Sequence, residues 1–394
     1  MSTKSQSARK HKIVHIAALS VANGLVYGFN ALYYCFLQIY LEMYHTPVSV
    51  GILLSVGPLV AIIAPMFWGI QADKAKYKNN ILTVTIIGST VFFFLLMVNQ
   101  NFWWLFGVLL VLMFFMSPFA GLIDTITLEY SAQNNVAYGP IRLTGTFVFG
   151  LIPLVLTAYT ETNINIIFYA YIVIAVLCLI AVHLMPRVPG YARDKTKVNI
   201  KPVLTDKKLM LMICIVFISQ IAWAYYNNFF PTYITGTLGL PQTVWGANVF
   251  ITVLGEVPFF LMFNRIFSKF GIKNLLLLGI ILSVIRYLGL AVFTSAPLIL
   301  GTGLITGFSI TALTYCASVY IINNMSPEVK ASAQTFMYAV AGGIPKVLSG
   351  VFGGVMTDTA GVKTTMFIMT GLCATMFIMY LLYSKQDQTQ KTSG

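Results

Sequence analysis

Charged residues lie deep inside several long apolar stretches of the sequence: Asp124, Arg142, Glu256, Arg286 and Lys346. Asp124 and Arg142 belong to consecutive stretches that a short polar segment joins. A carboxylate beside a guanidinium offers an acceptor and a planar fork of donors. Such a pair would suit a ligand that is rich in hydroxyls or carries a carboxylate. The alternative is an inert ion pair that holds the two segments together.

The residue pattern gives little support to other kinds of chemistry. The five cysteines form no Cys-x-x-Cys pair, and the four histidines form no ligand cluster. The sequence contains no phosphate-binding loop, no His-Glu-x-x-His motif and no plausible Ser/His/Asp arrangement. We therefore expect no enzyme activity, no metal, no cofactor and no step driven by ATP.

The composition predicts that lipid surrounds most of the chain. Of the 394 residues, 58% are hydrophobic and 9% are charged, whereas soluble domains carry roughly 25% charged residues. The basic residues give a net charge of +13, but they cluster between apolar stretches, so no nucleic-acid partner is expected. An ionisable residue at the centre of a bilayer costs roughly 2.5–3.5 kcal/mol, and such residues mark functional sites.

A helical span needs roughly 20 mostly apolar residues, and this length predicts twelve spans. Their approximate bounds are 13–41, 48–71, 80–99, 102–128, 138–159, 164–185, 209–234, 244–267, 273–293, 297–322, 332–356 and 363–383. A polar, basic segment in the middle divides them into two sets of six. The predicted fold is an all-α membrane protein with two pseudo-symmetric six-helix halves, 1–190 and 209–394, joined by a cytoplasmic linker, 191–208.

The basic residues also predict the orientation. Nearly all of those outside the spans fall in the two termini, the middle segment and alternate loops, and the remaining loops carry Lys363 alone. Positively charged loops stay in the cytoplasm, so we expect both termini there and a location in the plasma or inner membrane. The first apolar stretch is too long for a signal peptide and has no clear cleavage site, so it should be retained.

Short basic segments follow the second and the eighth predicted span, at 69–76 and 264–271, as a weak internal repeat. Two related halves suit a transporter that works by alternating access, in which one half rocks against the other around a central site. From other classes of protein, the alternatives are a channel, a membrane receptor or an intramembrane enzyme.

Several motifs resemble the major facilitator superfamily, and in particular the group that holds lactose permease, the phenylpropionate permeases and the nucleoside–proton symporters. Gly69, Asp73 and Lys74 resemble the cytoplasmic loop motif Gly-x-x-x-Asp-Arg/Lys, which implies that they form a gate motif with Asp73 as a latch. The start of the fifth span, 138–145, resembles that group more specifically. The resemblance covers nearly the whole chain, and in the second half it includes segments around Glu256, Arg286 and Lys346.

The resemblance implies roles for individual residues. Asp124 and Arg142 have the spacing of the acidic residue and arginine that grip sugar hydroxyls in lactose permease, and Phe149 takes the place of a tryptophan that stacks on the sugar. Asn228 lies in a segment that resembles the Asn-Phe-Phe part of the family's seventh span. With Tyr226, it is expected to contact the solute.

The sequence departs from the family where protons are coupled to transport. Thr306 and Ser309 take the place of an essential His and Glu in the tenth span, and Gln220 replaces the carboxylate that pairs with a buried lysine. That lysine corresponds to Lys346. The coupling machinery is therefore altered.

Glu256 becomes the first candidate for the proton carrier, ahead of Asp124, with Arg286 and Lys346 as its coupling partners. The alternatives for Glu256 are a permanent salt bridge to Arg286 or a role in solute binding alone. For Lys346 the alternative is an amine that reaches the membrane interface.

We therefore expect a secondary active transporter that imports a small polar organic solute, in the first place a sugar or glycoside, by proton symport. A nucleoside or aromatic-acid transporter of the same fold, or an uncoupled facilitator, is the alternative. The expected partners are the solute, protons and the lipid bilayer, and a monomer is expected to be sufficient.

Overall fold

The computed structural model describes residues 3–190 and 201–392, except for the side chains of 3–11, 201–202, 259–268, 327–328, 331–332 and 386–392. In this part of the chain the elements are helices: α1 (Thr3–Glu42), α2 (Pro47–Lys74), α3 (Lys78–Leu95), α4 (Phe102–Met116), α5 (Phe119–Asn134), α6 (Tyr138–Thr160), α7 (Ile166–Leu184), α8 (Lys201–Thr205), α9 (Lys207–Gly236), α10 (Thr243–Val292), α11 (Ala296–Asn324), α12 (Pro327–Met337), a π-helical segment (Tyr338–Gly343) and α13 (Ile344–Thr392). Most of the predicted linker, 191–208, lies outside the described residues.

Ten stretches of the described residues are long and apolar enough to cross a bilayer. One of them, Ala333–Lys385, contains a non-helical residue, Gly361 (φ 78°), which separates the predicted spans 11 and 12. The predicted span 8 includes residues 259–268, whose side chains are not described, and it is not among the ten. Large apolar side chains such as Ile63 (71% exposed) face outward, as expected where lipid is the solvent. The chain is an all-α membrane protein.

The predicted fourth span, 102–128, falls within one apolar stretch, Phe102–Asn134, that is long enough to cross a bilayer. Ser117 and Pro118 divide this stretch into α4 and α5. Pro118 has no amide hydrogen, and in a continuous helix its ring would clash with the carbonyl of Phe114. That freed carbonyl accepts a hydrogen bond of 2.8 Å from the Trp68 indole. The break therefore leaves no orphaned backbone acceptor at this point.

The loop predicted between spans 8 and 9 is reduced to one glycine inside α10. Gly271 has a φ of 68°, a left-handed conformation that favours glycine because it has no Cβ. A second departure precedes α13, where Tyr338–Gly343 is a π-helix. Pro345 follows it closely and donates no amide hydrogen, so the regular hydrogen-bond pattern cannot continue through this turn.

The chain forms two compact units. The first takes in Met1–Tyr44 and Leu59–Asp194, and the second takes in His45–Pro58 and Lys195–Gly394. The start of α2 belongs to the second unit, where Ser55 Oγ donates a hydrogen bond of 3.2 Å to Val347 O.

Small residues bring the helices of each unit close together. In the first unit, a Cβ on Gly24 of α1 would lie 3.0 Å from Val148 Cγ2 of α6. In the second, a Cβ on Gly255 of α10 would lie 2.9 Å from Leu304 O of α11. Close approach of backbones is the usual way in which membrane helices pack, and these contacts fix the helices that carry the ionisable residues.

Candidate functional site

An ion pair between α5 and α6 forms the first candidate cluster. Asn135 adopts a left-handed conformation (φ 50°) at the end of α5, and the next helix begins soon after it. This tight turn places Asp124 and Arg142 side by side, with Arg142 Nε 3.5 Å from Asp124 Oδ1. The two side chains are 28% and 29% exposed, so a ligand can reach both.

Two neighbours set the position of the Arg142 guanidinium, and a third lies next to Asp124. Its Cζ lies 4.0 Å from the centre of the Tyr27 ring in α1, and its Nη1 donates a hydrogen bond of 3.3 Å to Thr146 Oγ1. The Tyr138 side chain interacts with the Asp124 carboxylate. The Tyr27 ring packs on α6 over Gly145, where a Cβ would lie 3.0 Å from Tyr27 Cγ. A side chain at that position would displace the ring.

This first cluster retains unused hydrogen-bonding capacity. Asp124 Oδ1 is buried and accepts no hydrogen bond from the described residues. Arg142 has five N–H donors, and its guanidinium edge lies next to that oxygen. A carboxylate oxygen that accepts no hydrogen bond, next to guanidinium N–H donors, can bind a hydroxyl group both as its acceptor and as its donor. Phe149, the predicted stacking residue, is half-buried two turns further along α6.

A buried arginine in the second unit forms the other candidate cluster, which we call the Arg286 cluster: Arg286, Tyr287, Tyr226 and Asn248. Arg286 in α10 is 0% exposed. Its Cζ lies 4.2 Å from the centre of the Tyr226 ring and 4.9 Å from that of Tyr287, and its Nη1 donates a hydrogen bond of 3.1 Å to Tyr287 Oη. A guanidinium between aromatic rings is attracted to their negative faces.

Asn248 holds this cluster together, and the sequence analysis missed it. The Tyr226 hydroxyl donates a hydrogen bond to Asn248 Oδ1, while Asn248 Nδ2 donates one of 2.7 Å to Ile299 O in α11. The amide therefore connects α9, α10 and α11. The signal available in the sequence was a lone asparagine in an apolar span, between Ala247 and Val249.

The remaining predicted residues of the second unit are not all brought together. Arg286 forms no ion pair with any carboxylate among the described residues, so the alternative of a permanent salt bridge to Glu256 is not observed. Glu256 is half-buried in α10. Lys346 Nζ lies 5.5 Å from the centre of the Trp223 ring, and Asn228 is half-buried on α9.

Thr306 and Ser309, at the altered coupling positions, are buried in α11. Thr306 Oγ1 donates a hydrogen bond of 2.9 Å to Thr302 O, and Ser309 Oγ donates one of 3.4 Å to Thr306 O. Both hydroxyl protons are therefore engaged by the backbone of their own helix.

The predicted gate motif lies at the end of α2, where Asp73 forms an ion pair with a lysine to which the sequence analysis gave no role. Lys78 Nζ lies 4.0 Å from Asp73 Oδ1 and also forms an ion pair with Glu129 of α5. The Lys78 side chain is 6% exposed. Gly69 has open space where a Cβ would be, and Lys74 is exposed.

Comparison with known proteins decides the family. The model of the MFS_1-like family matches residues 17–369. The chain belongs to this family. Its relatives include permeases of the major facilitator superfamily, and its structural neighbours have the same fold.

Two sequence relatives of this MFS_1-like protein cover most of both chains. The uncharacterized transporter YwbF of Bacillus subtilis (strain 168) is 26% identical over 87% of this chain and 86% of its own length. The maltose permease of Geobacillus stearothermophilus is 24% identical over 93% of each chain.

A crystal structure of the nucleoside transporter NupG is similar in fold, with a TM-score of 0.83, 18% sequence identity and coverage of 94% of this chain and 99% of that one. Its family and its permease relatives make the MFS_1-like protein a membrane transporter of the major facilitator type.

Proposed function

We propose that this transporter imports a small polar organic solute, in the first place a sugar or glycoside, by proton symport through alternating access of its two halves. The Asp124–Arg142 pair carries the proposal, since it places an unbonded carboxylate oxygen beside a guanidinium edge within a partly exposed cluster. Relatives named maltose permease and sucrose permease support a saccharide. In this proposal the halves are 1–190 and 209–394, both termini are cytoplasmic, and a monomer is sufficient.

Each predicted residue takes a role in this transport cycle. Asp124 and Arg142 would hold solute hydroxyls, Phe149 would stack on the ring, and Asn228 would add an amide. Tyr226 would contact the solute with its ring, because its hydroxyl donates a hydrogen bond to Asn248 Oδ1. The gate motif of Gly69, Asp73 and Lys74 would steady the cytoplasmic end of the first half. Glu256 would carry the proton, assisted by Arg286 and Lys346.

The solute is tested by transport into proteoliposomes with Arg142→Lys. A lysine keeps the charge but loses the planar fork, so uptake of the sugar should fall about 100-fold, a loss of roughly 2.7 kcal/mol of transition-state stabilisation. Arg187→Lys is the matched control, because this arginine also lies over a tyrosine ring, at 5.4 Å from that of Tyr77. Uptake by Arg142→Lys equal to that of the control would exclude the proposed site.

Proton coupling is tested with Glu256→Gln, which cannot release a proton. The variant should no longer concentrate sugar in response to a pH gradient, but should keep exchange of labelled for unlabelled sugar. Glu161→Gln, a change in the loop after α6, is the control. A Glu256→Gln protein that still concentrates sugar would remove this role, and wild-type protein that never does so would be an uncoupled facilitator.

A nucleoside is the second candidate, favoured by the similarity to NupG over nearly the whole chain. A nucleoside also carries a hydroxyl-rich sugar ring, which the same ion pair would bind. Competition of labelled sugar uptake by unlabelled nucleosides, sugars and aromatic carboxylates separates the three classes. Strong competition by nucleosides alone would replace the sugar assignment without changing the site.

A further inference from the structure

The Arg286 cluster contains hydrogen-bond donors that lack acceptors. Arg286 Nε and Nη2 have no hydrogen-bond partner among the described residues, although both atoms are buried. These two nitrogens form one edge of the guanidinium, the edge that binds two acceptors side by side. The other edge is occupied, since Nη1 donates to Tyr287 Oη. The proton of the Tyr287 hydroxyl also has no acceptor in the described part of the chain.

Neighbouring polar groups bond other partners, and none of them accepts a hydrogen bond from this edge. Asn248 Oδ1 accepts the Tyr226 hydroxyl. Ser283 Oγ, one turn before Arg286 on α10, donates to Gly279 O at 2.8 Å. Cys373 lies close enough to interact electrostatically with Arg286, but a neutral thiol does not balance a guanidinium charge. The cluster thus carries a full positive charge, and two of its buried donors have no acceptor among the described residues.

We infer that a small inorganic monoanion of the halide class binds at the Nε–Nη2 edge of Arg286, with the Tyr287 hydroxyl as a further donor. A water molecule would accept hydrogen bonds there but would leave the buried charge uncompensated, which is the larger energetic penalty. The rings of Tyr226 and Tyr287 pack against the guanidinium, and Arg286 is 0% exposed. An enclosed edge of this kind fits an ion better than a solute of sugar size.

This inference does not depend on the identity of the transported solute. The test therefore uses the purified full-length protein without solute. Thermal unfolding in detergent is followed while sodium gluconate is replaced by sodium bromide at constant ionic strength. A ligand that binds only the folded state raises the unfolding temperature in a saturable way. We expect such a rise with bromide, and no dependence on bromide in the wild-type protein would overturn the inference.

Two variants separate the site from general salt effects. Arg286→Lys keeps a positive charge but lacks the edge, so it should weaken bromide binding at least tenfold, whereas Arg142→Lys should leave it unchanged. If Arg286→Lys does not fold, Tyr287→Phe removes the hydroxyl donor and keeps the ring, and should also weaken binding. Equal bromide affinity in wild type, Arg286→Lys and Tyr287→Phe would overturn the inference.

A carboxylate of the same chain is the competing occupant, and Glu256→Gln distinguishes it. If bromide stabilises the wild type and Glu256→Gln equally, the halide assignment holds. If bromide stabilises only Glu256→Gln, the edge belongs to the Glu256 carboxylate and the inference fails. Anomalous diffraction from bromide-soaked crystals of the wild type gives an independent result. A peak within hydrogen-bond distance of Nε and Nη2 supports the halide, and its absence contradicts it.

Discussion

Arg142 and Arg286 both lie within membrane spans against tyrosine rings, at 4.0 Å from Tyr27 and 4.2 Å from Tyr226. Their surroundings differ in two respects. Arg142 is partly exposed and has Asp124 as its counter-charge. Arg286 is fully buried and has no carboxylate within ion-pair distance among the described residues. Stacking on a ring is thus common to both, while a carboxylate pairs with Arg142 and none among the described residues pairs with Arg286.

Arg142 therefore lies in a site that can exchange water for a ligand, whereas Arg286 lies in the packed core of its unit. When a hydroxyl-bearing ligand replaces the water around a partly exposed ion pair, the change costs little free energy. A buried charge has no such water, so any change in its partner shifts the stability of the folded unit. The two arginines should therefore respond in opposite ways to substitution.

The largest expected effect comes from Asn248→Leu. This change removes the acceptor of the Tyr226 hydroxyl and the donor to Ile299 O. Each orphaned buried group costs about 1–3 kcal/mol, so the protein should lose roughly 2–6 kcal/mol of stability. Thermal unfolding in detergent measures it. The matched control is Asn227→Leu, since the Asn227 amide donates to Trp223 O of its own helix. Equal losses would show that Asn248 does not hold the cluster.

Arg286→Met should have an effect of the opposite sign. Replacing a buried, uncompensated charge by an apolar side chain of similar length should raise stability by about 1–4 kcal/mol in gluconate. The gain should be smaller in bromide, where the charge is compensated. Unfolding temperatures in the two salts provide the comparison. A clear loss of stability in gluconate would mean that the contacts with Tyr226 and Tyr287 outweigh the charge.

Arg142→Met should destabilise the first unit. It leaves the Asp124 carboxylate without its partner, at a cost of about 1–3 kcal/mol. Adding Asp124→Asn should recover part of that loss, because the charge that needs a partner is then gone. A thermodynamic cycle of the two single variants and the double variant measures the coupling. Strict additivity would mean that the two residues do not stabilise each other.

The smallest expected effect is that of Thr146→Val, which deletes one hydrogen bond to Arg142 Nη1. The loss of stability should be about 0.5–1.5 kcal/mol. The relative effect on sugar uptake should be larger if the Thr146 hydroxyl fixes the position of the Arg142 guanidinium. Thr125→Val is the control, because Thr125 Oγ1 donates to Gly121 O of its own helix on an exposed face of α5. Uptake that is reduced equally in both variants would argue against a positioning role for Thr146.

The sequence predicted the first cluster better than the second. Asp124 and Arg142 lie in consecutive spans close to a tight turn, so their proximity follows from chain connectivity. The turn at Asn135 leaves little freedom for the two helices. Glu256 and Arg286 also lie in consecutive predicted spans, yet the expected alternative of a salt bridge between them is not observed. They lie further along their helices, where a rotation about either helix axis changes which side chains meet.

Residues missed by the sequence analysis share a physical reason. Tyr27, Asn248 and Lys78 acquire their importance from a partner on another helix, and none has a special neighbour in sequence. Lys78 was given no role of its own, but it is buried against Asp73 and Glu129. Pattern and periodicity describe one helix at a time, so contacts made between helices are invisible to them.

The sequence by itself determined that the chain is an all-α membrane protein, and nearly all of its span positions. Hydropathy and length decide these properties, because each span must satisfy its backbone within itself and match the bilayer whatever its neighbours are. Only the tertiary structure decided which charges are compensated. Arg142 meets a carboxylate and Arg286 meets two tyrosine rings, since helix rotation and close packing at small residues select the partners of each side chain.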